Sequence, residues 1–200
     1  KSHQGISGRM FSELGSNNVN IRAIAQGSTE KNISAIISKK DVKKALNTLH
    51  AAFFEDQIKQ INMFVMGLGN VGSKLLEQIQ SQKEYLLKHQ HLNLRVIGIA
   101  NSRKMHFNED GIDLKNWMGL LQDQGETSEI NGFLQNIKDL NLRTSVFVDN
   151  TANKEVTELY AACLEQSIAV VACNKIACSS AFDNYKRLKF LSRKYNAPFL

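Results

Sequence analysis

The hexapeptide Gly67-Leu68-Gly69-Asn70-Val71-Gly72 constrains this chain more than any other stretch. It follows the apolar run 61–66, which reads as a short strand. It opens a segment carrying Val71, Leu75 and Ile79 at i, i+4 and i+8, which reads as a helix. The pattern G-x-G-x-x-G is informative between a strand and a helix, where the same letters in a loop would say little. Gly67 permits the tight turn, Gly69 leaves room for a pyrophosphate near the backbone, and Gly72 lets the helix pack closely on the strand. The helix N-terminus then presents free N–H groups and a partial positive charge to phosphate. A dinucleotide site built from Gly67, Gly69, Asn70, Val71 and Gly72 is therefore expected. The alternative is a turn whose glycines serve packing alone.

The pattern after residue 58 alternates strand with helix. Further strands are expected at 95–100, 145–148 and 168–172, with short helices around Trp117 and Leu134 before the third. A last helix runs from about 181 to 195, with Phe182, Tyr185, Leu188 and Leu191 on its inner face. Apolar strands with little polar alternation, separated by helices, indicate a parallel sheet covered on both sides. Residues 58–200 thus read as an α/β, Rossmann-like doubly wound domain.

Residues 1–57 follow another rule. A helix over 5–14 places Ile6, Met10, Phe11 and Leu14 on one face. Strands at 19–25 and 33–38 form a hairpin through the turn-rich Gln26-Gly27-Ser28-Thr29-Glu30. Asp41, as N-cap or first-turn acid, starts a helix with Val42, Ala45, Leu46 and Leu49 facing inward. Helix, strand, strand, helix is most of a ferredoxin-like βαββαβ unit, short of an outer strand. That shortfall, and Lys1 in place of an initiator methionine, lead us to expect a piece of a longer protein.

Composition narrows the remaining options. With 42% hydrophobic and 22% charged residues the chain matches ordinary globular proteins, which excludes disorder and collagen-like structure. No uninterrupted apolar run approaches the ~20 residues that span a bilayer. The opening residues of the sequence show no basic-then-apolar pattern resembling a signal peptide, and none is expected. Cys163, Cys173 and Cys178 are too few and too clustered for a secreted disulfide framework, and none has C-x-x-C spacing. They read as small core residues in a reducing compartment. The scattered histidines, including His89 and His91, have no ligand partners in sequence, so no metal site is expected. The 25 basic and 19 acidic residues leave a net charge of +6, and Lys186, Arg187, Lys189, Arg193 and Lys194 share the last helix. Without a recognised binding motif this reads as a solvated face and not as a nucleic-acid surface.

The ends of the other strands supply the remaining candidates. After the second strand stands Asn101-Ser102-Arg103, where an NAD-specific site usually places an acid for the ribose 2′-hydroxyl. No carboxylate there repels a 2′-phosphate; Ser102 can donate to it and Arg103 can pair with it. NADP is expected ahead of NAD, the alternative being that Arg103 is an ordinary loop cation. The third strand ends Asp149-Asn150-Thr151-Ala152 and the fourth Cys173-Asn174-Lys175. In a doubly wound sheet ligands gather outside these ends. Asn150 and Thr151 are placed for the nicotinamide-side ribose. Lys175 can bond a substrate oxygen, or relay a proton if burial lowers its pKa. The alternatives are an N-cap for Asn150 or Thr151 and a solvated end for Lys175.

Taken together, these segments resemble the bifunctional aspartokinase/homoserine dehydrogenases. His3-Gln4-Gly5-Ile6-Ser7-Gly8-Arg9-Met10-Phe11, Val19-Asn20-Ile21, Gln26-Gly27-Ser28 and Asn32-Ile33-Ser34 look like the second regulatory ACT unit. Residues 67–72, 149–152 and Asn174-Lys175 look like the nucleotide-binding part of the dehydrogenase. The resemblance implies a cytoplasmic enzyme of threonine and methionine biosynthesis that reversibly reduces aspartate 4-semialdehyde to homoserine with NADPH or NADH. It implies catalytic and cofactor contacts for Lys175, and an effector response, usually to threonine, involving Gln26. It also implies a homo-oligomeric parent. Kinase and substrate domains are expected outside residues 1–200, so the chain alone should bind cofactor with little turnover. The rival is a non-catalytic ACT-plus-nucleotide-fold sensor of an amino acid and NAD(P).

Overall fold

The hexapeptide stands where the strand and helix patterns meet, between β3 (Lys59–Met66) and α3 (Asn70–Gln90). The computed structural model describes residues 5–27, 32–54, 58–179 and 181–200. These divide into two units, Lys1–Gln57 and Ile58–Leu200.

The first unit contains α1 (Ile6–Ser16), the antiparallel pair β1 (Ile21–Gln26) and β2 (Ile33–Ile37), and α2 (Val42–Phe54). Its small core gathers Leu14, Val19 and Ala45, with Met10, Ile21, Ile37 and Leu49 packed around them. Ile6, expected inside, is exposed. Val42 and Leu46, also expected inside, point outward, and α2 buries Lys44, Ala45 and Thr48 instead. The Lys44 stem covers apolar surface, and burial lowers its ammonium pKa below the ordinary lysine range. Asp41 closes a 3-10 turn directly before α2. His3, Gln4 and the Ser28–Glu30 part of the hairpin turn lie outside the described residues.

The second unit is a six-stranded sheet flanked by helices. After α3 come β4 (Leu92–Ala100), β5 (Lys104–Phe107), α4 (Trp117–Gln124), β6 (Glu126–Thr127) and α5 (Ile130–Leu140). Then follow β7 (Ser145–Asp149), α6 (Lys154–Glu165), β8 (Ala169–Ala172), α7 (Ile176–Ser179) and α8 (Phe182–Lys194). Strand order is β6-β5-β4-β3-β7-β8. The four strands from β4 to β8 pair in parallel, as expected, whereas β5 and β6 extend the β4 edge antiparallel. Pro198 and Leu200 continue the opposite edge, bonding through their carbonyls to Val170 and Ala172 N–H.

Alternate strand residues feed two core layers. Phe64, Ile97, Phe147 and Val170 face helices α5, α6 and α8, while Val65, Val96, Ile99 and Val148 face α3 and α4. Two helical faces differ from expectation. On α3 the buried residues are Gly72, Leu76 and Ile79, and Val71 is 55% exposed. On α8, Leu188 and Leu191 are buried but Phe182 lies outside, under the Lys186 ammonium at 4.4 Å from its ring centroid. No helix among the described residues is long and apolar enough to cross a membrane.

The cysteines give a direct check of this packing. Cys163 is buried while Cys173 and Cys178 are exposed, and burial pushes the Cys163 thiol from 9.0 up to about 12. In an aromatic disulfide assay at pH 8, two thiols should react in the native chain and the third only after denaturation. A third native thiol reacting at the same rate would contradict the α6 packing. Between pH 9.0 and about 12 the unfolded thiol ionises while the folded one does not, so stability should fall as pH rises through that window.

Candidate functional site

The four parallel strands end in register. Met66 pairs with Ala100 on one side and Asp149 on the other, and Asp149 pairs with Ala172. Backbone bonds tie the segments that leave these ends: Gly67 N–H to Ala100 O and Asn150 N–H to Met66 O at 2.8 Å, and Cys173 N–H to Asp149 O at 2.9 Å. From β3 the chain crosses to β4 on one side, and from the β4 edge it returns to β7 on the other. The crevice at this reversal is where open α/β sheets take their ligands, and the glycine turn fills its floor.

Each glycine of the turn meets a different demand. Gly67 has φ +93°, and a Cβ there would stand 2.7 Å from the Asn150 carbonyl carbon. A Cβ on Gly72 would lie 1.9 Å from Gly67 O, so the helix rests directly on the turn. Gly69 is the contrast, with nothing within 4 Å of an added Cβ. It is the N-cap residue of α3, makes no side-chain cap, and the first turn carries no acid. The 21-residue helix therefore opens with free N–H groups beside empty space. Asn150 Nδ2 lies buried at this turn without a hydrogen-bond partner among the described residues. Open space at Gly69, an uncapped helix start and an orphaned amide donor fit a dinucleotide pyrophosphate and its ribose.

A cavity of about 470 Å³ adjoins the turn. Asn70, Val71, Lys74, Leu75 and Gln78 of α3 line one side, and Val148, Asn150, Val171 and Cys173 the other. The outward Val71 is thus a cavity wall. Lys74, which the sequence reading passed over, sits at its edge paired with Glu77 at 2.7 Å.

The β4 end forms a tight turn. Asn101 Oδ1 accepts the N–H of Arg103 and of Lys104, both at 2.8 Å, and Asn101 N–H bonds Lys104 O at 2.9 Å. Asn101 shapes the turn, leaving the exposed Ser102 and Arg103 side chains to face solvent.

Beyond β7 and β8 lies a polar cluster. Asp149 is fully buried. Its Oδ1 accepts Thr151 N–H at 2.7 Å, and its Oδ2 accepts Tyr160 Oη at 2.6 Å and Asn174 Nδ2 at 3.1 Å. Burial first, then the bond to Asp149, raises the Tyr160 phenol above its ordinary pKa. Neither Asn150 nor Thr151 caps α6. Asn153 does so, accepting Glu155 N–H at 2.9 Å, while Thr151 Oγ1 accepts Asn153 N–H at 3.2 Å. Lys175 is exposed, so the burial considered for it is not provided by this chain. Gln26 lies in the other unit, its Oε1 accepting Ser7 Oγ at 3.3 Å. No group of His, Cys, Asp or Glu among the described residues is placed to hold a metal ion.

Comparison with known proteins follows the same division. Residues 1–53 match the ACT domain family, and residues 67–199 match the family described as "Homoserine dehydrogenase, NAD binding domain". A bifunctional aspartokinase/homoserine dehydrogenase of Haemophilus influenzae is 38% identical over 200 residues, 100% of this chain and 24% of that protein. A chloroplastic relative from Daucus carota is 36% identical over 194 residues, 96% of this chain and 21% of that protein. The chain therefore spans about a quarter of the length of the curated relatives it matches. A hyperthermophilic archaeal homoserine dehydrogenase solved in complex with NADPH superposes with TM-score 0.55 at 21% identity, covering 71% of this chain and 43% of that one. The homoserine dehydrogenase of Thermoplasma acidophilum gives 0.55 at 18%, covering 70% and 42%, so both share the fold. By the match over residues 67–199, and with the uncapped glycine turn at the sheet's reversal point, the chain belongs to the homoserine dehydrogenase NAD-binding family.

Proposed function

We propose that the second unit binds NADP(H) and, within a longer polypeptide, serves the reversible reduction of aspartate 4-semialdehyde to homoserine. The observation that supports this most directly is Gly69, open on its Cβ side at an uncapped helix N-terminus. Backbone N–H groups of Gly69, Asn70 and Val71 take the pyrophosphate, with Gly67 and Gly72 holding the turn against β3. Ser102 and Arg103 face the 2′-phosphate, on a turn that Asn101 shapes. Asn150 and Thr151 meet the nicotinamide-side ribose, and the free Asn150 amide donates there. The bound cofactor supplies a hydride for the aldehyde carbon. Lys175 holds the substrate oxygen and delivers the proton that oxygen needs. The first unit is read as the effector element, with threonine at a site that includes Gln26. Exposed Ile24, Ile36 and Leu46 on that unit support pairing with another copy, giving a homo-oligomer. A cytoplasmic location accompanies this reading.

Calorimetric titration with NADPH and NADH tests it. Wild type should bind NADPH saturably, and Gly69→Val, whose side chain enters open space, should weaken it ~100-fold or more with the fold intact. Arg103→Ala should cut the NADPH-over-NADH preference ~10-fold, the value of a charge-assisted pair to phosphate. Unchanged NADPH affinity in Gly69→Val would remove the turn from the site.

A further inference from the structure

We infer that Asp149 is a positioning residue which fastens the β7 and β8 ends into one unit, so that Thr151 and Lys175 present a fixed surface to the nicotinamide half of the cofactor. The inference rests on the cofactor reading above and adds residues to it. Asp149 has no accessible surface, and its carboxylate oxygens meet three donors: Thr151 N–H, Tyr160 Oη and Asn174 Nδ2. A shell of donors matches a carboxylate, whose oxygens accept. A buried carboxyl group without partners is costly, and here three hydrogen bonds hold it in place.

The three donors come from three elements. Thr151 is the second residue of the loop after β7, Tyr160 stands on α6, and Asn174 is the second residue of the loop after β8. Asn174 extends the linkage: its Nδ2 also donates to Asn153 O at 3.0 Å, and its Oδ1 accepts Ile176 N–H at 3.1 Å. Lys175 is therefore clamped between two tethered neighbours although its own side chain is free in solvent. The side-chain bonds of Asp149 include no residue of the glycine turn, whose backbone bonds run to Ala100 O and from Asn150 N–H to Met66 O; Thr151 Cγ2 is where the two meet, 2.9 Å from a Cβ placed on Gly67.

The consequence is selective for one half of the ligand. Asp149→Asn keeps size but sets an amide donor against one of the existing donors. The β8 loop end with Asn174 and Lys175 then loses its tie to Thr151, while the backbone bonds of the glycine turn and the Asn101 turn remain. NADPH, which has a nicotinamide half, should bind ~10-fold more weakly to Asp149→Asn by calorimetry, on the scale of a lost bond to a charged group. Adenosine 2′,5′-bisphosphate, which lacks that half, should bind as to wild type. Tyr160→Phe, which removes one donor from an otherwise apolar ring, should show the same selectivity at ~3-fold and carries the test if Asp149→Asn does not fold. Equal weakening of both nucleotides in the folded variants, or unchanged NADPH affinity in both, would overturn the inference. Wild type that binds neither nucleotide would overturn the cofactor reading and this inference with it. Wild type that binds both, with variants that do not discriminate, would overturn this inference only.

Discussion

Gly72→Ala should unfold the second unit at markedly lower denaturant than wild type, by about 3 kcal/mol or more, the upper range for overpacking a well-packed site. The added methyl would meet Gly67 O at 1.9 Å and Gly67 C at 2.9 Å, and both are backbone atoms that no rotamer change can move. Either α3 lifts from the sheet or the turn deforms, and Gly67 is already at φ +93° with Asn150 pressed against it. Trp117 is the single tryptophan and is buried in the layer beneath α3, so its fluorescence reports on this unit during urea titration. Gly69→Ala is the control. Its methyl enters open space, and the shift should stay under about 1 kcal/mol, the N-cap preference of glycine over alanine. Equal midpoints for Gly72→Ala and Gly69→Ala would mean that α3 does not rest on the turn.

Phe133→Ala should cost about 3–5 kcal/mol, the range for emptying a buried aromatic site. Phe133 is fully buried on α5, with its ring centroid 4.8 Å from Phe107 and 6.2 Å from Phe147. It is one member of a row that continues through Tyr160 to Phe199, at 6.3 and 5.9 Å. Rings this large cannot slide together to refill the space without disturbing both neighbours. Phe133 and Trp117 lie in opposite layers of the sheet. A parallel loss of Trp117 fluorescence and far-ultraviolet dichroism in Phe133→Ala would show the layers melting together. A shift below about 1 kcal/mol would mean the row closes over the gap.

How far the sequence could be read depends on whether a contact is local. Continuous apolar runs and the glycine turn are signals within ten or so residues, and the parallel strands follow from them. Strand β5 escaped because Lys104-Met105-His106-Phe107 is short and polar at alternate positions, with only Met105 buried; β6 is two residues long. On α3 the expected Ile79 is buried and Leu75 packs at the edge of the core, but Val71 points outward because Gly72, read as part of the turn, is the helix's contact point and brings Leu76 inward. On α2 a lysine and a threonine took inner positions that hydropathy assigns to Val42 and Leu46. Phe182 found a cation instead of the core. The Asp149 cluster joins residues 11 and 25 positions apart, so no periodicity announces it. The candidate residues could therefore be picked out at the strand ends, and the bonds that hold those ends together could not.

The turn after β4 carries a consequence for how such a chain can change over generations. Its shape depends on one side chain, Asn101, acting on the backbone of the two residues that point outward or follow. The identities at 102 and 103 are thereby released from any duty to the architecture. On the reading proposed above, a lineage can exchange those side chains one at a time, and with them its choice between two redox currencies, without touching the bonds that shape the turn.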